Sequence, residues 1–204
     1  DRVMTSETGT VAIQLGLIVL ALAAVLSILI GSLRAGISPM PSSRKAHKAV
    51  LSLLEQNRNV DNGHGLTMID CGSGWGHLVF QLARRYPEAK VIGYELSFIP
   101  WLVSRLLARF LLLDNLTIYR KSFMDRDLPV PLGQGDMLFT YLYPKGMAKF
   151  ADLLKEQAAK RPEANIRSQQ LISICFALPG FEAEERQILA DLYQTRIYRY
   201  RVLP

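Results

Sequence analysis

"IDCGSGWGHL", Ile69 to Leu78, sets three glycines at alternate positions directly behind a short apolar run that ends in an acid and a cysteine. Glycine removes the Cβ and lets a backbone approach a ligand closely or adopt positive φ. Three such positions at the end of one apolar run predict a strand that delivers the chain into a tight ligand-facing turn. The residues after the turn, "GHLVFQLARRY", have helical periodicity, so a helix starts at once with its free N–H groups directed at whatever the turn holds.

Working outward, short β-rich runs alternate with helical ones. "LTMIDC" precedes the turn; "AKVIGYEL", the helix "PWLVSRLLARFLLL", "NLTIYRKS" and "DMLFTYLY" follow it. A further helix, "KGMAKFADLLKEQAAK", leads to "QLISICFAL", and "TRIYRYRV" supplies a last strand that need not be parallel. The alternation predicts an α/β fold, a doubly wound, Rossmann-like sheet with helices on both faces. Upstream, "RKAHKAVLSLLEQ" has an amphipathic helical pattern.

The spacing Gly72-Ser73-Gly74-Trp75-Gly76 is G-x-G-x-G, not the G-x-G-x-x-G with which dinucleotide enzymes hold a pyrophosphate. It suits S-adenosylmethionine, whose amino-acid end carries a carboxylate for the helix N-terminus and an ammonium that Asp70 can balance. Glu95 closes the second strand 25 positions after Asp70 (95 − 70). An acid there can accept hydrogen bonds from both ribose hydroxyls, as the acid about 20 residues beyond a nucleotide-binding glycine loop does. Either signal alone is common in ordinary turns; their order on consecutive elements is what points to this cofactor.

Composition bounds the alternatives. The chain has 204 residues, half of them hydrophobic, and a formal charge of +6. This is enough apolar material for one core. The basic residues are dispersed, without the aromatic interleaving of a nucleic-acid platform, so no nucleic-acid partner is expected. Cys71 and Cys175 fall in apolar strand-like runs and read as reduced thiols. His47, His64 and His77 lack ligand spacing, so no metal is expected.

The N-terminal quarter differs in kind. "VAIQLGLIVLALAAVLSILIGSL", Val11 to Leu33, holds no charge and, as a helix, reaches roughly 35 Å, enough to cross a bilayer core of about 30 Å. A cleaved signal peptide would have a basic leader and a shorter apolar stretch. The organisation expected is therefore a tail (1–10), one transmembrane helix (11–33), a Pro/Ser linker (34–43, "GISPMPSS" at its core) and a catalytic domain (44–204). Arg34, Arg44, Lys45 and Lys48 follow the span, which leaves the domain on the cytoplasmic side. Met4 is a possible natural start, since the first residue is Asp1.

"PMPSSRKAHKAVL", "DCGSGWGHLVFQLAR", "GYELSFIPWLVSR", "IYRKSF" and "LFTYLYPKGM" together resemble the membrane-anchored seven-strand protein-lysine methyltransferases, the group that includes the enzymes acting on the ATP synthase c-subunit and on the adenine nucleotide translocase. The resemblance covers about Pro39 to Cys175. It implies a class I (seven-strand) methyltransferase sheet behind one transmembrane helix, S-adenosylmethionine as cofactor, and a lysine-bearing membrane protein as substrate. It places Asp70, Gly72, Ser73, Gly74 and Gly76 under the methionine end, Glu95 on the ribose, Ser122 and Phe123 beside adenine, and Ser42 and Ser43 in a linker that folds back over the cofactor. Trp75 and His77 stand where an acid and an arginine are usual, "SFI" separates Leu96 from Pro100, and Ser122 replaces a usual Asp. Tyr141 and Tyr143, in "TYLYP", are the candidates for orienting the acceptor amine; by strand alternation, either is as well explained by packing. The competing functions are methylation of a lipid or lipophilic small molecule and a non-catalytic interaction module. Arg105 and Arg109, one turn apart, suggest a helix face resting on headgroups while its apolar remainder packs on the sheet; the plainer expectation is a buried helix whose arginines reach water.

Overall fold

The computed structural model describes residues 2–35, 43–56, 60, 63–159 and 168–203. Seven strands, β1 (Thr67–Cys71), β2 (Lys90–Tyr94), β3 (Leu116–Tyr119), β4 (Met137–Thr140), β5 (Gln169–Ile174), β6 (Glu185–Ile188) and β7 (Arg196–Leu203), form one sheet in the order β3-β2-β1-β4-β5-β7-β6. All pairings from β3 to β5 are parallel, and β7 is antiparallel to both β5 and β6. Strand order reverses between β1 and β4, so the crevice of the doubly wound plan opens at the carboxyl end of β1.

Alternation assigns side chains to two cores. Met68, Val91, Met137, Phe139 and Ile172 face α2 (Arg44–Glu55), α3 (His77–Arg85) and α4 (Phe98–Phe110). Ile69, Cys71, Ile92, Tyr94 and Leu138 face α5 (Pro144–Ala159), which packs through Met147, Phe150, Ala151 and Leu154. The helices therefore cover both faces, as the alternation predicts.

One strand has no counterpart in the sequence reading. In β6 only Glu185 is half-buried and the rest is exposed. It is an edge strand that buries almost nothing, so "ERQI" carries no alternation to detect. Because β7 runs against its neighbours, the turn that joins it to β6 returns to the carboxyl rim of the sheet. There Lys45 Nζ donates to the Ala190 carbonyl at 3.0 Å, tying the start of α2 to the same rim.

α1 (Arg2–Ala35) is one continuous helix containing a stretch, Gly9–Leu26, long and apolar enough to cross a membrane. None of that stretch is buried, although α1 approaches α4. Residues 36–42, including Ser42 and most of the expected linker, lie outside the described residues.

α4 departs from expectation. Its buried residues are Pro100, Ser104 and Ala108, a stripe at four-residue spacing, whereas Leu106, Leu107 and Phe110 face outward. Small side chains let the helix lie close to β2 and β3, where Trp101 Nε1 donates to the Ile118 carbonyl at 3.1 Å. Trp101 is thus the large side chain of α4 that packs toward the sheet, while Leu106, Leu107 and Phe110 do not.

Candidate functional site

β1 ends at Cys71 and the chain turns sharply through Gly72 (φ 103°), Gly74 (φ 54°) and Gly76 (φ 84°). The Tyr94 carbonyl at the end of β2 accepts from both Gly72 N–H and Ser73 N–H at 2.9 Å, and Gly76 N–H closes the turn on the Ser73 carbonyl at 2.9 Å. Two of the glycines serve different ends. A Cβ on Gly76 would sit 2.6 Å from the Phe80 ring, so that glycine lets α3 fold against the turn. A Cβ on Gly74 would meet nothing within 4 Å. There the backbone borders open space, as an approaching ligand requires.

Glu95 follows β2 and is buried. Its Oε2 accepts from Gly74 N–H at 2.8 Å and its Oε1 from Ser97 N–H at 2.7 Å. The carboxylate thus fixes the glycine turn to the start of α4. Each carboxylate oxygen retains a further lone-pair direction for another donor. Asp70, also buried, is pushed up to about 7, first by burial and then by the Glu95 charge. The two carboxylates sit on one rim, and a cationic group between them would favour the ionised form of Asp70. The buried Ser73 hydroxyl has no hydrogen-bond partner among the described residues.

Ser43 caps α2, accepting from Ala46 N–H at 3.1 Å. One turn later, buried His47 lies 3.2 Å from Gln81 Nε2 of α3. Burial, with His77 nearby, lowers His47 to about 4, so it is neutral at physiological pH and joins the two helix starts beside the glycine turn.

Ser122 sits after β3, its Oγ accepting from Met124 N–H at 3.2 Å. Phe123 is buried edge-on against Phe150, with centroids 5.8 Å apart, and its ring belongs to the core below the crevice. Tyr141 and Tyr143 follow β4. Tyr141 is half-buried and hydrogen-bonded to Cys175, whose thiol is pushed up by burial and held down by that bond. Tyr143 is 40% exposed with its ring 5.8 Å from that of Phe176. The structure therefore joins the glycine turn to Glu95 through direct hydrogen bonds, sets Asp70 on the strand before that turn where it feels the Glu95 charge, and puts the two tyrosines after the neighbouring strand β4.

Sequence reasoning missed Gly93 and the His47–Gln81 pair. A Cβ on Gly93 would lie 2.8 Å from Ser73 Oγ, so this glycine makes room for the turn from the neighbouring strand. A glycine inside the strand run "VIGY" is the signal that pointed there. For His47 the signal was a polar residue on the apolar face of an amphipathic helix.

Among known protein families, the ANTKMT methyltransferase domain matches residues 70–185, from the carboxylate at the end of β1 to the start of β6. The chain belongs to this methyltransferase family. That makes it an S-adenosylmethionine-dependent methyltransferase. Solved structures similar to this ANTKMT-family chain carry the same fold. An RNA methyltransferase from Salinibacter ruber in complex with S-adenosyl-L-homocysteine superposes with a TM-score of 0.63 at 19% identity, over 80% of this chain and 94% of that one. TrmN from Thermus thermophilus gives 0.56 at 17% identity, over 76% of this chain and 47% of that one. No curated protein matches the chain in sequence.

Proposed function

We propose that the protein is a membrane-anchored protein-lysine N-methyltransferase acting on a membrane protein. The observation that carries the reading is the match of residues 70–185 to a family named for lysine methylation of the adenine nucleotide translocase, itself a membrane protein. The apolar α1 supports the anchor, and the basic residues after it favour a domain on the cytoplasmic side. The domain in this reading spans 44–204.

The rim fits the cofactor. Asp70 would face the ammonium, and the N–H groups at the start of α3 the carboxylate. The open side of Gly74 and the unpartnered Ser73 hydroxyl would border the methionine end. The free lone pairs of Glu95 would take the ribose hydroxyls, with Ser122 near adenine. Phe123 would support that region from the core beneath it, and Ser42 and Ser43 would cover the cofactor from the linker. When bound, the cofactor supplies a sulfonium methyl, an electrophile with a neutral leaving group. The chain must then place an amine behind the methyl carbon at about 3–3.5 Å. A lysine of ordinary pKa near 10.4 is neutral in only about one molecule in a few thousand at pH 7, so the pocket has to favour the neutral amine. Tyr141 and Tyr143 would orient it.

Membranes holding the full chain, incubated with methyl-labelled S-adenosylmethionine, test this. Label recovered as methyl-lysine after protein hydrolysis, and absent with Gly74→Ala, is the expected result. Label in the lipid extract instead would replace the lysine acceptor with a lipid.

A further inference from the structure

We propose that the outward face of α4, together with the adjoining edge strand β3, docks the domain onto the anionic headgroup layer of the membrane that holds α1. This rests on the anchored reading of α1 given above.

Fifteen residues, 98–112, present five large apolar side chains to the outside. Phe98 is 43% exposed, Leu106 59%, Leu107 41%, Phe110 82% and Leu112 80%. These exposures persist with α1 in place against α4, so α1 does not cover the face. Soluble surfaces carry single exposed apolar residues, but a row of this kind marks an interaction site. The row is also held out at a cost. Leu112 adopts φ 53° where the helix ends, with Leu113 N–H returning to the Ala108 carbonyl at 3.1 Å, a termination that normally takes glycine. A leucine there is strained and nearly fully exposed.

The occupant follows from what lies beside the row. Leu102, Leu106 and Phe110 repeat every four residues, and Arg105 and Arg109 form the adjacent row at the same spacing. Arg105 stacks over Trp101 at 5.4 Å and Arg120 over Phe98 at 5.0 Å, which holds guanidinium groups along the border of the apolar strip. Between α4 and β3 runs a groove of 870 Å³, lined by Trp101, Arg105, Leu106, Arg109 and Leu112, with Asp114 as the acid in its wall. Apolar side chains bordered by arginines match the boundary between acyl chains and phosphates. α1 approaches α4, and a helix that crosses lipid keeps the element it approaches within reach of the headgroups. A second copy of the chain would meet the same apolar strip but would gain nothing from the arginine border unless it offered acids.

The full chain, reconstituted into phosphatidylcholine vesicles with and without phosphatidylserine, decides the matter. In a Cys175→Ser background, a bimane label is placed at Phe110→Cys on the docking face or, as a second site there, at Leu106→Cys. Leu20→Cys in α1 and Ile188→Cys on β6, both exposed, serve as references. Nitroxide-bearing lipids should quench the labels at 20, 106 and 110 and spare 188. Omitting phosphatidylserine, or introducing Arg105→Glu with Arg109→Glu, should reduce quenching at 110 several-fold and leave 20 unchanged. If 106 and 110 behave like 188 while 20 is quenched, docking is wrong and the anchor stands. If 20 itself is unquenched, the anchored reading falls, and this inference with it. Labels at 106 and 110 shielded from aqueous iodide yet untouched by lipid nitroxides would mean that protein covers the face, which also overturns the proposal.

Discussion

Two strand-to-helix junctions stand side by side on the carboxyl rim and are built in opposite ways. Between β1 and α3 the chain uses three glycines at positive φ, leaves open space beside Gly74, and seats its helix with Leu78, Val79, Leu82 and Ala83. Between β2 and α4 it uses a buried carboxylate and an extended Ser97, and seats its helix with Pro100, Ser104 and Ala108. The first junction spends its large aliphatics inward and keeps its backbone bare. The second fills the turn with Glu95 and, Trp101 apart, turns most of its large side chains out. Apolar content alone therefore does not say which way a helix faces; the stripe that fits closest to the sheet does.

The two junctions meet through Asp70 and Glu95, and there the largest effect is expected. Asp70 takes up its proton at about 7 in the folded protein against an ordinary 3.8. From about pH 4 to pH 7 the folded state then holds a proton that the unfolded chain has lost, so stability falls as pH rises, at up to about 1.4 kcal/mol per pH unit. Asp70→Asn should remove that fall, read as urea midpoints across the window. In the unsubstituted protein, cofactor binding that needs the ionised carboxylate should release a proton below pH 7. Affinity should therefore rise with pH and level off near 7, visible in calorimetry across buffers of different ionisation enthalpy.

Glu95→Gln comes next. An amide can accept only through its oxygen, and its NH₂ would face either Gly74 N–H or Ser97 N–H. The loss of one hydrogen bond to a buried charge is worth about 1.5–3 kcal/mol of stability, accompanied by weaker cofactor binding. Full stability with unchanged affinity would mean that the two junctions are not coupled through this side chain.

Ala108→Leu tests the seat of α4 itself. Ala108 is buried in the small-residue stripe, so overpacking should cost about 1–3 kcal/mol. Phe110→Ser, two residues away on the outward face, should change stability in detergent by less than about 0.5 kcal/mol. Equal costs from the two would erase the distinction between the inner and outer faces.

The first junction was legible in the sequence and the second only in half. G-x-G-x-G after an apolar run, and Glu95 at its spacing, are local patterns whose backbone consequences follow from residue type. That Glu95 also bridges Gly74 and Ser97 depends on backbone donors, which leave no mark in a sequence. The direction of α4 was hidden because nearly every residue in "PWLVSRLLARF" is apolar or long, so no hydrophobic periodicity singles out a face. The stripe Pro100, Ser104, Ala108 was visible in retrospect as small residues every fourth position. β6 was invisible because it buries no side chain fully, and the outlying Ser42 lies outside the described residues.

Lys45 fastens the start of α2 to the Ala190 carbonyl at the rim to which reversed β7 brings its turn. Seven residues, 36–42, separate α1 from Ser43 and extend at most about 25 Å. For an anchored chain the leash is thus fixed to the working edge of the sheet, not to its opposite pole. In such a chain the crevice would stay within about the linker's length of the end of α1. For an acceptor held in the same bilayer, the encounter would be a search in a plane, limited by lateral diffusion more than by tumbling of the domain.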